Sequence, residues 1–327
     1  MCLVALALDL NSRFPFVLAG NRDEFFQRES GRLGWWEMPG QAPILGGRDL
    51  QAGGTWLGLT AHGRLAVVTN YRQPRKDDKE SPSRGSIVPL WLKGHKAMHE
   101  LWPQLAMTGY NGFNLLALDF ALGECFWASN TARFPKRLDR GLYGLSNGHL
   151  DSDWPKVNRI KAATRQAVQH STTIDELSTA LFEALADTHV PPDEQLPHTG
   201  ISLEWERVLS PAFIRTPDGS YGTRCSTLII TERVNKRLVT HVFERTYASG
   251  ARMALLRKVT LRNWPPRHTM QAEQLAKLDQ SLLPAAMRHE DRFESSDVHE
   301  QDGHTLPDEP PRKTRARSLI KPSRTSR

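Results

Sequence analysis

The stretch Leu3-Val4-Ala5-Leu6-Ala7-Leu8, followed by Asp9, Asn11 and Ser12 and then by Pro15-Phe16-Val17-Leu18-Ala19, decides how the chain folds. An unbroken apolar run with no polar side is the pattern of a strand buried on both faces. Asp9, Asn11 and Ser12 supply turn chemistry, so the two runs read as a β-hairpin. With the turn centred near Asn11 and Ser12, the numbers of cross-strand partners sum to about 23 or 24, which sets Cys2 opposite Asn21 or Arg22. The tetrapeptide Asn21-Arg22-Asp23-Glu24 then ends the second strand beside Cys2. Alternation puts Asn21 and Asp23 on one face and Arg22 and Glu24 on the other, and a slip of one residue would exchange them.

Cys2 directly follows the start methionine. Methionine is removed when the next residue is small, which would leave Cys2 with a thiol and a free α-amine on one residue. An α-amine titrates near pH ~7.7–8.0 and can take a proton from a thiol of pKa ~8.5, so nucleophile and base come together. Threonine versions of this device use the terminal amine as the base. The other reading of Cys2 is a small buried hydrophobe. That reading leaves four polar residues at the end of the partner strand unexplained.

The opening segment is not expected to be a targeting signal: it lacks a basic start, Asp9 interrupts the apolar run, and no small-residue cleavage site follows. No stretch approaches the ~18 apolar residues of a membrane span. Three cysteines, Cys2, Cys125 and Cys225, far apart and without a Cys-x-x-Cys, support neither a disulfide framework nor a zinc ribbon, so a cytoplasmic protein with no metal site is expected. The net charge of +7 suggests nucleic acid, but seven basic residues and no acid fall within Pro310 to Arg327. The other 36 of the 43 basic residues face 36 acids, so the folded part is balanced. The chain is expected to form a single domain over 1–287 and a disordered basic tail over 288–327, with no nucleic-acid partner beyond weak tail contacts.

Further along, Gly54 to Leu59 and Leu65 to Arg72 read as a second hairpin through Ala61-His62-Gly63, which brings Asn70 roughly opposite Thr55 and Gly54. The pairs Gly46-Gly47 and Gly53-Gly54 are expected at tight turns. Arg75 to Gly85 reads as a charged loop able to cover a pocket, followed by a helix from Ile87 to His99. Phe113 to Phe120 and Glu124 to Ser129 form a third hairpin, and Leu142 to Leu145 a short strand ending in Ser146-Asn147. Asn70 and Asn147 both sit at strand ends, where an amide can donate to a developing oxyanion or simply terminate the strand. Helices are expected over Trp154 to Gln169 and, behind the Thr173-x-x-Glu176 capping box, over Ile174 to Ala186. Val190 to Arg207 reads as loop. Tyr221 to Ile230 and Leu238 to Tyr247 make a final hairpin, with Arg224 either a cavity cation or a surface arginine. Gln271 to Met287 reads as one more helix.

Met1-Cys2, Gly20 to Glu24, Gly54-Thr55-Trp56-Leu57-Gly58, Thr69-Asn70-Tyr71-Arg72, Leu145 to Gly148 and Gly222-Thr223-Arg224 together resemble the NRDE family, over residues 1 to about 247. That family is grouped with the N-terminal nucleophile hydrolases. The resemblance implies an α+β fold, an αββα sandwich of two stacked, mainly antiparallel sheets flanked by helices. By the same resemblance Cys2 would be the nucleophile and Asp23 would orient its amine or thiol. Asn70 and Asn147 would hold the oxyanion and Arg224 would support the site electrostatically, with Asn21, Arg22 and Tyr71 as supporting or substrate-binding residues. In the related acylases the Arg and Asp of this strand are three residues apart, whereas Arg22 and Asp23 are adjacent here. The functional expectation is a cysteine amidohydrolase acting on a small-molecule linear amide without a cofactor. The alternative is a non-catalytic protein that binds or carries haem or lipid. Phosphate-binding, dinucleotide, zinc-protease and serine-hydrolase motifs do not occur in the sequence.

Overall fold

The computed structural model describes residues 2–39, 42–74, 77–94, 96–248 and 253–266, with side chains omitted at positions 2, 253 and 254. The helix expected over 271–287 and the tail from 288 lie outside the described residues.

The opening hairpin forms as its pattern requires, with β1 at Cys2–Leu8 and β2 at Phe16–Phe25. Their register pairs Cys2 with Arg22 and Leu6 with Leu18. Strands β3 (Ser30–Trp36), β4 (Ile44–Asp49), β5 (Leu57–Thr60), β6 (Arg64–Asn70), β7 (Phe113–Asp119), β8 (Glu124–Ser129) and β9 (Lys136–Arg137) form a seven-stranded antiparallel sheet in that order. The first hairpin belongs to the other sheet, six antiparallel strands in the order β10, β1, β2, β11, β12, β13. The added strands are β10 (Gly141–Leu145), β11 (Tyr221–Val234), β12 (Arg237–Tyr247) and β13 (Met253–Arg262).

Alternation along these strands builds three apolar layers. Val4, Leu6, Leu18 and Ile229 of the six-stranded sheet meet Leu57, Leu65, Val67 and Leu116 of the other, which stacks the two sheets face to face. The opposite positions, Leu3, Ala5, Val17, Ala19 and Leu228, pack under α3 (Pro155–His170) and α4 (Ile174–Leu185). On the far face of the seven-stranded sheet, Ala66, Val68, Leu115 and Ala117 receive α1 (Ile87–Leu92) and α2 (Met98–Met107). Both faces of the central strands are therefore apolar, as the unbroken run at residues 3 to 8 demands, and each large aliphatic side chain buried this way contributes about 1.5–3 kcal/mol. The architecture is the expected αββα sandwich.

Several local expectations need correction. The helix expected from Ile87 to His99 is two helices, because Gly94 turns back with φ +78 and ends the first. A short helix α5 (Leu203–Val208) lies inside the segment expected to be loop. The Gly46-Gly47 pair sits in β4 rather than at a turn: a Cβ on Gly47 would fall 2.3 Å from the Trp56 ring, so the missing side chain makes room for that indole. The β5–β6 ladder ends at Leu57 and Val67, in the register that sets Asn70 opposite Gly54 as expected, and on its other side Asn70 pairs with Phe113 of β7.

Candidate active site

Register brings the polar end of β2 together with its neighbours. Arg22 is flanked by Cys2 on β1 and by Cys225 on β11, so these three positions form one row across the six-stranded sheet. Residues directly opposite one another share a face, and along β1 position 2 has the parity of Val4 and Leu6, the face turned toward the second sheet. The residue beside Cys2 is therefore Arg22, and Asn21 and Asp23 belong to the other face.

Arg22 is nearly fully buried and lies 4.2 Å above the ring of Trp56, which comes from the opposite sheet. Its Nη2 is 3.7 Å from Glu24, while Nη1 is buried with no hydrogen-bond partner among the described residues. A buried donor without an acceptor costs about 1–3 kcal/mol. Arg22 also lines a cavity.

That cavity, about 310 Å³, is lined by Arg22, Asp23, Glu24, Trp56, Asn70 and Arg84, among others. Its outer wall is the loop through Asp77, Asp78 and Ser81 to Gly85, as expected for a segment covering a pocket. The wall is held close by the Thr55 N–H, which donates to the Gly85 carbonyl at 3.0 Å. A Cβ on Gly54 would fall 2.3 Å from that same oxygen, so glycine is required there. Within the lining two close ion pairs form. Arg28 donates to Asp49 at 2.7 Å and Arg84 to Asp77 at 2.6 Å. Burial pushes the Asp49 carboxyl up, but the hydrogen bonds from Arg28 and from the Ala52 and Gln51 N–H groups outweigh it and leave it below the usual carboxylate range.

Behind β2 the environment differs. Asn21 is buried, and its amide donates to the carbonyls of Leu185 and Ala212, both at 2.8 Å, while its oxygen accepts from Ser226 at 2.6 Å. Asp23 accepts from the Thr223 hydroxyl at 2.7 Å. Burial raises the pKa of Asp23, against the opposing pull of Lys156, the Thr223 hydrogen bond and Arg22. Lys156, itself buried, donates to the Leu209 carbonyl at 2.8 Å. Arg72 forms a buried pair with Glu206 at 2.7 Å, and Glu206 also accepts from the Thr199 hydroxyl at 2.5 Å. Lys156, Arg72 and Glu206 were not singled out as site residues by sequence reasoning. Lys156 could have been, since it stands four residues before Ile160 on the buried stripe of α3.

The remaining candidates fall into two groups. Asn70 lines the cavity, and its backbone carbonyl accepts from the amide of Asn147 at 2.8 Å. That bond commits one of the two amide hydrogens of Asn147 to the end of β6, and Asn147, fully buried, does not line the cavity. Tyr71 donates its N–H to the Gly112 carbonyl at 2.8 Å and packs its ring 5.0 Å from His149, next to the site rather than in its lining. Arg224 stands at a β-bulge between Thr223 and Cys225. Its Nη1 donates to the carbonyls of Phe25, Phe26 and Arg28, which fastens the loop that carries Arg28 to the cavity. It does not line the cavity itself. Cys125 is remote and inert, its thiol pushed by burial up to about 12. Among the described residues no group of three His, Cys, Asp or Glu side chains is arranged to hold a metal ion, and no helix is long and apolar enough to cross a membrane.

The family model for transport and Golgi organisation 2 matches residues 1–249. The mouse and human transport and Golgi organization 2 homologs are each 31% identical over 252 residues, covering 71% of this chain and 89% of theirs. The Drosophila melanogaster transport and Golgi organization protein 2 is 26% identical over 271 residues, covering 75% and 92%. Among solved structures, the Caenorhabditis elegans N-acylethanolamine-hydrolyzing acid amidase ortholog aligns over 70% of this chain and 92% of its own, at 12% identity and a TM-score of 0.37. The motifs around Cys2, Asn21 to Glu24 and Asn70 all lie inside the matched span, and the chain belongs to the transport and Golgi organisation 2 family.

Proposed function

We propose that this protein is a cysteine amidohydrolase that cleaves a small, polar linear amide in the cavity between the sheets. The observation that carries the reading is the row Cys2–Arg22, with the unpartnered Nη1 of Arg22 beside a charged cavity that Asp23 and Asn70 also line. The reading requires that Met1 be removed. The α-amine of Cys2 then takes the thiol proton, and the thiolate attacks the amide carbon. The oxyanion is held by the Asn70 amide, the free hydrogen of the Asn147 amide and Arg22 Nη1, of which one such donor is worth about 10²–10³ in rate. The C–N bond breaks as the ammonium returns its proton to the leaving amine, and water hydrolyses the thioester. Asp23 orients the amine, and Arg224 acts at one remove by fixing the loop of Arg28. A cavity of this size and charge favours a short polar acyl group over a long hydrocarbon chain. A reducing compartment such as the cytoplasm would keep the thiol free.

The test is hydrolysis of a panel of short N-acyl amino acids and amides by the wild type and by Cys2→Ala. Wild-type turnover of at least one member, lost by about 10³-fold or more in Cys2→Ala with unchanged thermal stability, is expected. Equal turnover by both proteins would refute the assignment of Cys2.

A further inference from the structure

A second concavity, about 680 Å³, opens where the segment after α4 meets α5 and β12. Its walls are apolar: Val190, half of whose surface is exposed, with Val208, Pro211, Phe213 and Tyr247. Phe213 and Tyr247 pack edge to face, 4.9 Å between centroids, which gives the groove a rigid floor. Three arginines line it. Arg207 is neutralised by Asp193. Arg245 and Arg215 have no carboxylate partner among the described residues. Arg245 is held 4.0 Å above the Phe182 ring, and its Nε is buried without an acceptor.

Apolar walls that carry uncompensated guanidinium groups select a ligand with both properties, since burying a guanidinium without an anion is costly and an anion alone would leave the walls wet. We propose that this groove binds a free carboxylate on an apolar body, a fatty-acid anion of medium chain length, with the carboxylate at Arg245 and Arg215 and the chain along Phe213, Val208 and Val190. The groove lies on the helix-bearing side of the six-stranded sheet, the Tyr247 hydroxyl being 3.1 Å from the Ser226 hydroxyl that donates to Asn21. The site is thus separate from the cavity at Arg22, and the proposal does not depend on catalysis there.

The experiment is titration calorimetry of full-length protein with decanoate, kept below its micelle concentration, and with 1-decanol as the uncharged counterpart. Saturable one-site binding of decanoate is expected, at least about tenfold weaker in Arg245→Met, at least about tenfold weaker for decanol, and unchanged in Cys2→Ala. If Arg245→Met does not fold, Arg215→Ala and Val190→Glu, both at exposed positions, take its place with the same expectation. Absence of saturable decanoate binding by the wild type, equal affinity for decanol, or unchanged affinity in the groove variants would overturn the proposal.

Discussion

The two faces of β2 at residues 21 to 24 present the same strand to opposite environments. On the helix side, Asn21 meets two carbonyls and a hydroxyl at hydrogen-bond distance, a buried polar group with its valences used. On the side turned to the second sheet, Arg22 has a ring beneath it, a distant glutamate and one nitrogen with no acceptor among the described residues. Buried polar groups are satisfied when their work is structural, and an unsatisfied one needs another explanation. One tetrapeptide therefore carries a structural half and a chemical half, divided by strand alternation.

The sharpest way to break this division is to exchange the symptoms. Arg22→Met keeps the length of the side chain and its contact with Trp56 but removes the donor. Steady-state kinetics on an active amide should show kcat/KM down by about 10²-fold or more, with a melting temperature close to that of the wild type. Asn21→Leu should do the reverse. It takes the amide donor away from the carbonyls of Leu185 and Ala212 and leaves the Ser226 hydroxyl only its contact with Tyr247, so urea unfolding should show about 2–3 kcal/mol of lost stability. Activity per folded molecule should change less than in Arg22→Met. A stable but inactive Asn21→Leu would dissolve the contrast.

Asp23 stands between the halves, lining the cavity yet bonded to Thr223 behind it. Its pKa is raised by burial. A carboxyl whose folded pKa exceeds its unfolded value gives its full contribution to stability below the unfolded value, 3.8, and loses it as pH rises through the folded value. Unfolding free energy followed upward from pH 4 should therefore fall less steeply in Asp23→Asn than in the wild type. An identical pH slope would remove Asp23 from the account.

How much of this was legible in the sequence follows from where the local signals were strong. The run at residues 3 to 8 and the turn at Asn11 and Ser12 led to the Cys2–Arg22 pairing within one residue. The β11–β12 hairpin was equally plain, since two apolar runs flank the polar segment Arg233 to Lys236, where Asn235 and Lys236 take positive φ in the structure. Strand β3 was not legible: of its seven residues only Leu33 is buried, so no alternation marks it. The short α5 was hidden because six residues carry too little periodicity, although Ser202 caps it. Asn147 and Arg224 could be picked out by residue type and strand position, but not their partners. Whether an amide faces a cavity or a carbonyl depends on tertiary approach, here the Asn70 carbonyl and the Phe25–Arg28 loop, which no local pattern encodes.

The most direct measurement is competitive thiol labelling of the purified full-length protein with an electrophilic acyl-amide probe, followed by peptide mass spectrometry. The account predicts that Met1 is absent and that Cys2 is modified well before Cys125, whose thiol burial holds near 12, and before the buried Cys225. Retention of Met1, or modification of all three cysteines at one rate, would contradict it.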